Sequence, residues 1–272
     1  MTQAKLTDRS ALDRQRARAL RAPQLFLHTL AAEEIEDRLG MVKKSFTAPA
    51  LVTGFADFWQ RRYPDATVVP DDETLTLRPG AHDLVIHALC LHWADDPVGQ
   101  LVQARRALCP DGLMLAVLFG GGSLQELRAA LAQAEADVTG GLSPRVLPMG
   151  DIRDLGALLQ RAGLALPVAD RLALDLRYDN ALALMRELRA MGETNAMEAR
   201  PRGMLRRDVL IRACDIYARD FAHPEGGVRA SAEMIFLTGW SPHENQPQPL
   251  RPGSATARLA DALGTRENPL ED

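Results

Sequence analysis

Lysine is nearly missing from this chain. Of its 32 basic residues only Lys5, Lys43 and Lys44 are lysines, and the rest are arginines. The arginines do not make a basic protein, because the formal net charge is −4. A general nucleic-acid-binding surface needs an excess of positive charge, so nucleic acid is not an expected partner. The arginine excess fits an Ala- and Arg-rich codon bias. Cysteine is scarce as well: Cys90, Cys109 and Cys214 are odd in number and far apart. They make neither a disulfide framework nor a zinc site, which points to a reducing cytoplasm. No apolar run approaches the roughly 18 residues of a membrane span, and the first residues lack the apolar core of a signal peptide. What is present is 272 residues with 46% hydrophobic and 25% charged side chains. That is ordinary globular usage and enough chain for one well-buried domain.

The order of patterns along the chain predicts the architecture. Asp8 to Arg38 is helical in pattern, studded early by Arg14, Arg16, Arg18 and Arg21, and residues 1–22 carry six basic against two acidic side chains. A basic helix of this kind suits a solvated edge or peripheral contact with a membrane or an acidic partner. Residues 1–45 are therefore read as an N-terminal helical segment, followed by a main domain over 46–256 and a tail over 257–272. Ala50–Thr53 ending in Gly54 reads as a strand and turn, Phe55–Tyr63 as a short helix, and Ala66–Pro70 as a second short strand before Asp71-Asp72-Glu73. His82–Leu91 has the near-continuous apolar character of a strand buried on both faces. Asp96-Pro97 caps a helix, Leu113–Phe119 is another buried strand, and Ser123-Leu-Gln-Glu126 reads as a capping box. Helices are expected over Asp151–Ala162, Asn180–Met191 and Met204–Phe221, and strands over Leu164–Tyr178 and Arg229–Trp240.

Strands alternating with helices give a doubly wound, mostly parallel α/β sheet, here with an antiparallel last strand and a helical insertion over about 179–225. Ligands of such sheets bind outside the carboxyl ends of the strands. That directs attention to Thr53-Gly54, Asp71-Asp72, Leu91-His92-Trp93 and Phe119 with Gly120-Gly121-Gly122. The glycine run reads as a tight turn rather than an anion site. The histidines offer no iron-ligand constellation: His82, His87 and His92 are spaced at odd offsets on one strand, which alternates their faces, so no metal site is expected.

Two stretches carry a family resemblance. Asp83-Leu-Val-Ile, Leu89-Cys-Leu-His-Trp93 and Asp95-Asp96-Pro97 resemble the fourth strand of class I S-adenosylmethionine-dependent methyltransferases. Leu108-Cys-Pro-Asp-Gly-Leu113 resembles the turn before their fifth strand. The second half narrows this through Gly120–Arg128, Gly140-Gly-Leu-Ser-Pro-Arg145, Leu155–Gly163, Met191-Gly-Glu-Thr-Asn195, Gly239–Gln246 and Arg251–Ala255. These are similar to the methyltransferase-like assembly factor of respiratory complex I and its bacterial relatives, a group related to malonyl-acyl-carrier-protein methyltransferase. Some members of that group are associated with hydroxylating an arginine.

The resemblance implies S-adenosylmethionine as cofactor, with Gly54, Asp71, Asp72 and Leu91 at its site. Here the glycine-rich turn is reduced to Leu51-Val-Thr-Gly-Phe-Ala-Asp57, and Phe55 stands where a small residue is expected. Gly54 to Asp71 spans only 17 residues, so one βα unit is missing. Either the strand that carries the ribose-binding carboxylate is absent, or Ala66–Pro70 is that strand, Asp71 its acid, and the adenine-side strand is absent. Each lost charged hydrogen bond costs about 1.5–3 kcal/mol against about 8 kcal/mol for micromolar binding, so the turn predicts millimolar affinity. The resemblance further implies a protein partner in the peripheral arm of complex I. His92 is the candidate proton acceptor and Trp93 the candidate stacking platform. Arg128, Ser143, Arg145, Glu193, Asn195 and His243 are candidates for the substrate or partner rim. The reading is a pseudoenzyme-like bacterial assembly protein; the alternative is an active methyltransferase acting on a small or acyl-carrier-protein-linked acid.

Overall fold

Two helices precede the sheet. α1 (Arg9–Ala19) is capped by Asp8, which accepts the Ala11 amide hydrogen and is held in turn by Arg200 and Arg202. α2 (Phe26–Met41) buries Leu27, His28, Ala31, Ala32 and Ile35. The structure, a computed structural model, describes residues 5–247 and Gly264. Met1–Pro242 is one compact unit and His243–Asp272 a second. α1 and α2 belong to the first: Ala19, Leu27 and Ile35 share a core with Leu51, Ile86 and Leu115 of the sheet. The Arg251–Ala255 motif and nearly all of the expected tail lie outside the described residues.

Six strands form one sheet: β1 (Pro49–Thr53), β2 (Thr67–Val69), β3 (His82–Ala88), β4 (Leu108–Phe119), β5 (Ala165–Tyr178) and β6 (Val228–Trp240). Their order is β2-β1-β3-β4-β6-β5. β2, β1, β3 and β4 run parallel, and β6 runs antiparallel between β4 and β5. β3 is buried almost throughout because both of its faces are covered. Leu84 and Ile86 face the core shared with α2, whereas Val85 faces one shared with Leu101 of α4 (Pro97–Ala107) and Leu159 of α6 (Ile152–Arg161). α3 (Ala56–Arg62) connects β1 to β2, and α5 (Gln125–Thr139) follows β4. The helical insertion consists of α7 (Ala181–Ala190) and α8 (Arg207–Asp220) between β5 and β6.

Of the two placements left open for the missing βα unit, the structure has Ala66–Pro70 as the second strand: β2 pairs with β1 through Ala50↔Thr67 to Val52↔Val69, and residues 70–81 hold neither helix nor strand. Two local expectations are corrected. Ser123 and Glu126 do not form a capping box. Ser123 Oγ instead donates to the Glu233 carbonyl and Glu126 accepts from the Ser231 amide and hydroxyl, so both side chains staple α5 to β6. His92 does not share a strand face with His82, because β3 ends at Ala88 and His92 lies in a 3-10 turn, Leu91–Trp93. The glycine run is indeed a tight turn, with its amides satisfied internally: Gly120 N–H goes to the Glu233 carbonyl, Gly121 N–H to the Gly150 carbonyl and Gly122 N–H to the Glu233 carboxylate.

Candidate functional site

The carboxyl ends of β1 and β2 place Gly54 and Asp71 across a cleft, and Arg16 of α1 occupies the space between them. The Asp71 side chain is 4% exposed and the Arg16 side chain 7%. Arg16 Nη1 donates to Asp71 Oδ1 at 2.6 Å and Nη2 to Oδ2 at 3.1 Å. Arg9 adds a second fork, at 3.2 and 3.3 Å. Burial alone would raise the Asp71 carboxyl, but the Arg16 and Arg9 guanidiniums override it and hold the group well below the usual carboxylate range. The same guanidinium lies over Gly54: a Cβ added there would stand 2.4 Å from Arg16 Cζ.

Beside this filled cleft is an open cavity of about 210 Å³ at the ends of β3 and β4. α7 roofs it with Leu184, Met185 and Leu188, Leu124 at the cap of α5 and Leu127 within it add to the wall, and Phe119 closes the strand end. The walls are mostly apolar, with Arg145, Arg189, Thr194 and Asn195 among the polar lining, and one carboxylate stands at the strand end. Glu193, on the turn after α7, takes hydrogen bonds on Oε2 from Trp93 Nε1 at 2.9 Å and from His92 Nε2 at 3.2 Å. Burial pushes the Glu193 carboxyl up, but His92 and Arg16 outweigh it and keep the group below its ordinary value, so it is an anion at neutral pH. An ionised carboxylate at the end of a mostly apolar chamber can bind a hydrogen-bond donor or cation brought in on an apolar stem.

Sequence comparison bears on both halves. Residues 30–116 match the family described as a methyltransferase domain. The human mitochondrial protein named arginine-hydroxylase NDUFAF5 is 34% identical over 227 residues, covering 84% of this chain and 65% of that protein. The zebrafish (Danio rerio) protein of the same name is 35% identical over 198 residues, 73% of this chain and 61% of its own length. The malonyl-[acyl-carrier protein] O-methyltransferase of Methylovorus sp. (strain MP688) is 33% identical over 204 residues, 75% of this chain and 65% of that one. The chain is thus similar to methyltransferase-like proteins over most of its length. It spans a little under two thirds of the length of these relatives.

The methyltransferase-domain match implies S-adenosylmethionine, and the cleft of this chain does not fit it. The backbone at Gly54 is covered by a guanidinium, and both oxygens of Asp71, just past the end of β2, are taken by arginines. Phe55 is not an intruder into an open pocket; it is buried and edge-on to His28 at 4.8 Å.

The candidate residues separate accordingly. His92, Trp93, Glu193, Asn195 and Arg145 all line the cavity. Leu91 does not reach a ligand; it is 1% exposed in the core with Val52, Val85 and Leu101. Asp72 sits outside the filled cleft, 3.6 Å from Arg9. Arg145 is already paired with Glu135, which also binds the Ser143 amide and hydroxyl, so Arg145 is a fixed part of the cavity wall and Ser143 lies outside the lining. Arg128 donates to the Leu147 carbonyl and does not line the cavity. Asn195 ties the Glu193 turn to its neighbours through Pro144 and Gln15. His243 falls in the second unit, where its Nδ1 accepts the Asn245 amide hydrogen. Among the described residues no group of three or more His, Cys, Asp or Glu side chains could hold a metal ion, and no helix is long and apolar enough to cross a membrane. Arg16 and Arg9 were not predicted as site residues. The available signal was spacing: Leu12, Arg16 and Ala19 share one helical face, so Arg16 sits on the apolar side of α1.

Proposed function

We propose that this protein is a cytoplasmic assembly factor for respiratory complex I that acts on a peripheral-arm subunit without methyl transfer from S-adenosylmethionine. The observation that carries this reading is the asymmetry of the site: the cofactor side is filled by Arg16, while the substrate side keeps a cavity with an ionised carboxylate. The arginine-hydroxylase name of the human and zebrafish relatives makes an arginine side chain a candidate occupant, its aliphatic stem against Leu184 and Leu188 and its head toward Glu193. The O-methyltransferase name of the Methylovorus relative supports the rival reading, methyl transfer to an acyl-carrier-protein-linked acid. Deleting the gene tests the first reading: assembled complex I, measured on native gels and as NADH oxidation by membranes, falls. A deletion strain with normal complex I would overturn it. Isothermal titration with S-adenosylmethionine separates the two, since the methyltransferase reading requires binding and the assembly reading expects none at millimolar concentration.

A further inference from the structure

We propose that the Gly54–Asp71 cleft is a guanidinium-binding site which the chain occupies itself, Arg16 serving as a built-in replacement for a diffusible ligand and positioning Glu193 in the neighbouring cavity. Three observations carry it. The first is the fit of Arg16 to Asp71. Nη1 and Nη2 meet the two carboxylate oxygens in parallel, the fork geometry that a planar guanidinium makes and an ammonium cannot. Arg9 completes the set from the outer side, so Asp71 accepts four hydrogen bonds from two guanidiniums, the capacity of an ionised carboxylate.

The second is Gly54. Its missing side chain leaves the space in which the Arg16 head lies: a Cβ would stand 2.4 Å from Cζ and 2.5 Å from Nη1. The glycine of the shortened turn is therefore a point of close approach for a guanidinium. Arg16 Nε is buried with no hydrogen-bond partner, which marks an end-on site: the cleft receives the two terminal nitrogens and offers nothing to the third.

The third is the link to the cavity. Gly192 has φ +78°, and a Cβ on it would lie 3.3 Å from Arg16 Cγ and 3.4 Å from its Cα. The next residue is Glu193. Gln15, adjacent to Arg16, donates to the carbonyl of Asn195 on the same turn at 3.0 Å. The stem of Arg16 thus packs against the backbone that presents Glu193, while its head is fixed to Asp71. Arg16 acts on the cavity through Glu193, as a positioning residue.

Arg16→Ala creates the vacancy, and methylguanidinium is the probe. The variant is expected to melt below wild type, and the Trp93 indole N–H resonance, which reports the bond to Glu193, is expected to shift. Millimolar methylguanidinium should raise the melting temperature of the variant and return the Trp93 resonance toward its wild-type position. Methylammonium at the same concentration should do neither, nor should Arg16→Lys restore the resonance. Equal responses to methylguanidinium and methylammonium would overturn the proposal. Should Arg16→Ala not fold, the wild-type protein decides: S-adenosylhomocysteine should leave its melting temperature unchanged, and a concentration-dependent rise would show that the cleft takes an adenosyl ligand instead. Neither result depends on what the cavity acts upon, so the proposed role in complex I assembly can fail or stand independently.

Discussion

Replacing Asp71 with asparagine isolates the charge that holds α1 in the cleft. The substitution keeps the shape of the side chain but removes the anion and half of its acceptors, leaving Arg16, 7% exposed, as a cation without a counter-ion. Arg9 is 25% exposed and can turn to water, so the loss concentrates at Arg16. Removing one partner of a buried ion pair costs about 3–5 kcal/mol. At roughly 2–4 °C per kcal/mol for a large domain, Asp71→Asn should melt roughly 6–20 °C below wild type. The midpoint in urea should fall without a change in slope. The pH dependence has a definite sign. The Asp71 carboxyl is held below its unfolded value, so the stability from the pair is complete above about pH 4 and is lost as pH falls through the folded value. The gap between wild type and variant should stay constant from neutral pH to about pH 5 and narrow only in stronger acid. A variant melting within about 2 °C of wild type at neutral pH would refute the reasoning, because a nearly buried arginine cannot lose its counter-ion so cheaply.

Other outcomes follow from the same contacts. Burial pushes His28 and His87 down to about 4, so both are neutral in the folded chain at neutral pH, His28 accepting from Trp59 Nε1 and His87 bonded to Gln100. Stability should therefore decline as pH falls from about 6.5 toward 4, by up to about 3 kcal/mol for each histidine; urea unfolding that is equally difficult at pH 7 and pH 5 would contradict this. Gly192→Ala forces a side chain into a left-handed position 3.0 Å from Phe55 Cζ and should cost about 1–3 kcal/mol in chemical unfolding. Glu193→Gln should lower stability by about 1.5–3 kcal/mol through the charged bonds from Trp93 and His92. The same variant should fail to restore complex I in a deletion strain; full complementation would remove Glu193 from the function.

The sheet was legible in sequence because its strands obey simple rules. β3 and β4 are apolar on both faces, Asp96-Pro97 marks the start of α4, and Leu155, Leu158 and Leu159 repeat at helical spacing on α6. The end of β3 was less legible, since Leu89, Cys90 and Leu91 continue the apolar run into a turn that buries them all. The capping box was misread because Ser123 and Glu126 found partners on β6, more than a hundred residues away. In the site, His92, Trp93, Glu193 and Asn195 were singled out and do meet. Arg145 and Ser143 were singled out too, but an unremarked carboxylate on α5, Glu135, takes both. The missing βα unit was detectable from the short spacing, yet only the pairing of β1 with β2 showed on which side of Asp71 it fell. Arg16 was hidden among Arg14, Arg18 and Arg21: a run of arginines reads as one solvated face, and the helical phase that turns Arg16 inward has a tertiary reason, the Asp71 carboxylate across the cleft.

The central claim is that a side chain has taken the place of the cofactor. A crystal structure of the protein grown with excess S-adenosylmethionine tests it most directly. The account predicts density for the Arg16 guanidinium between Gly54 and Asp71, with α1 in place and no nucleoside in the cleft. A ribose hydrogen-bonded to Asp71, with Arg16 displaced, would contradict it.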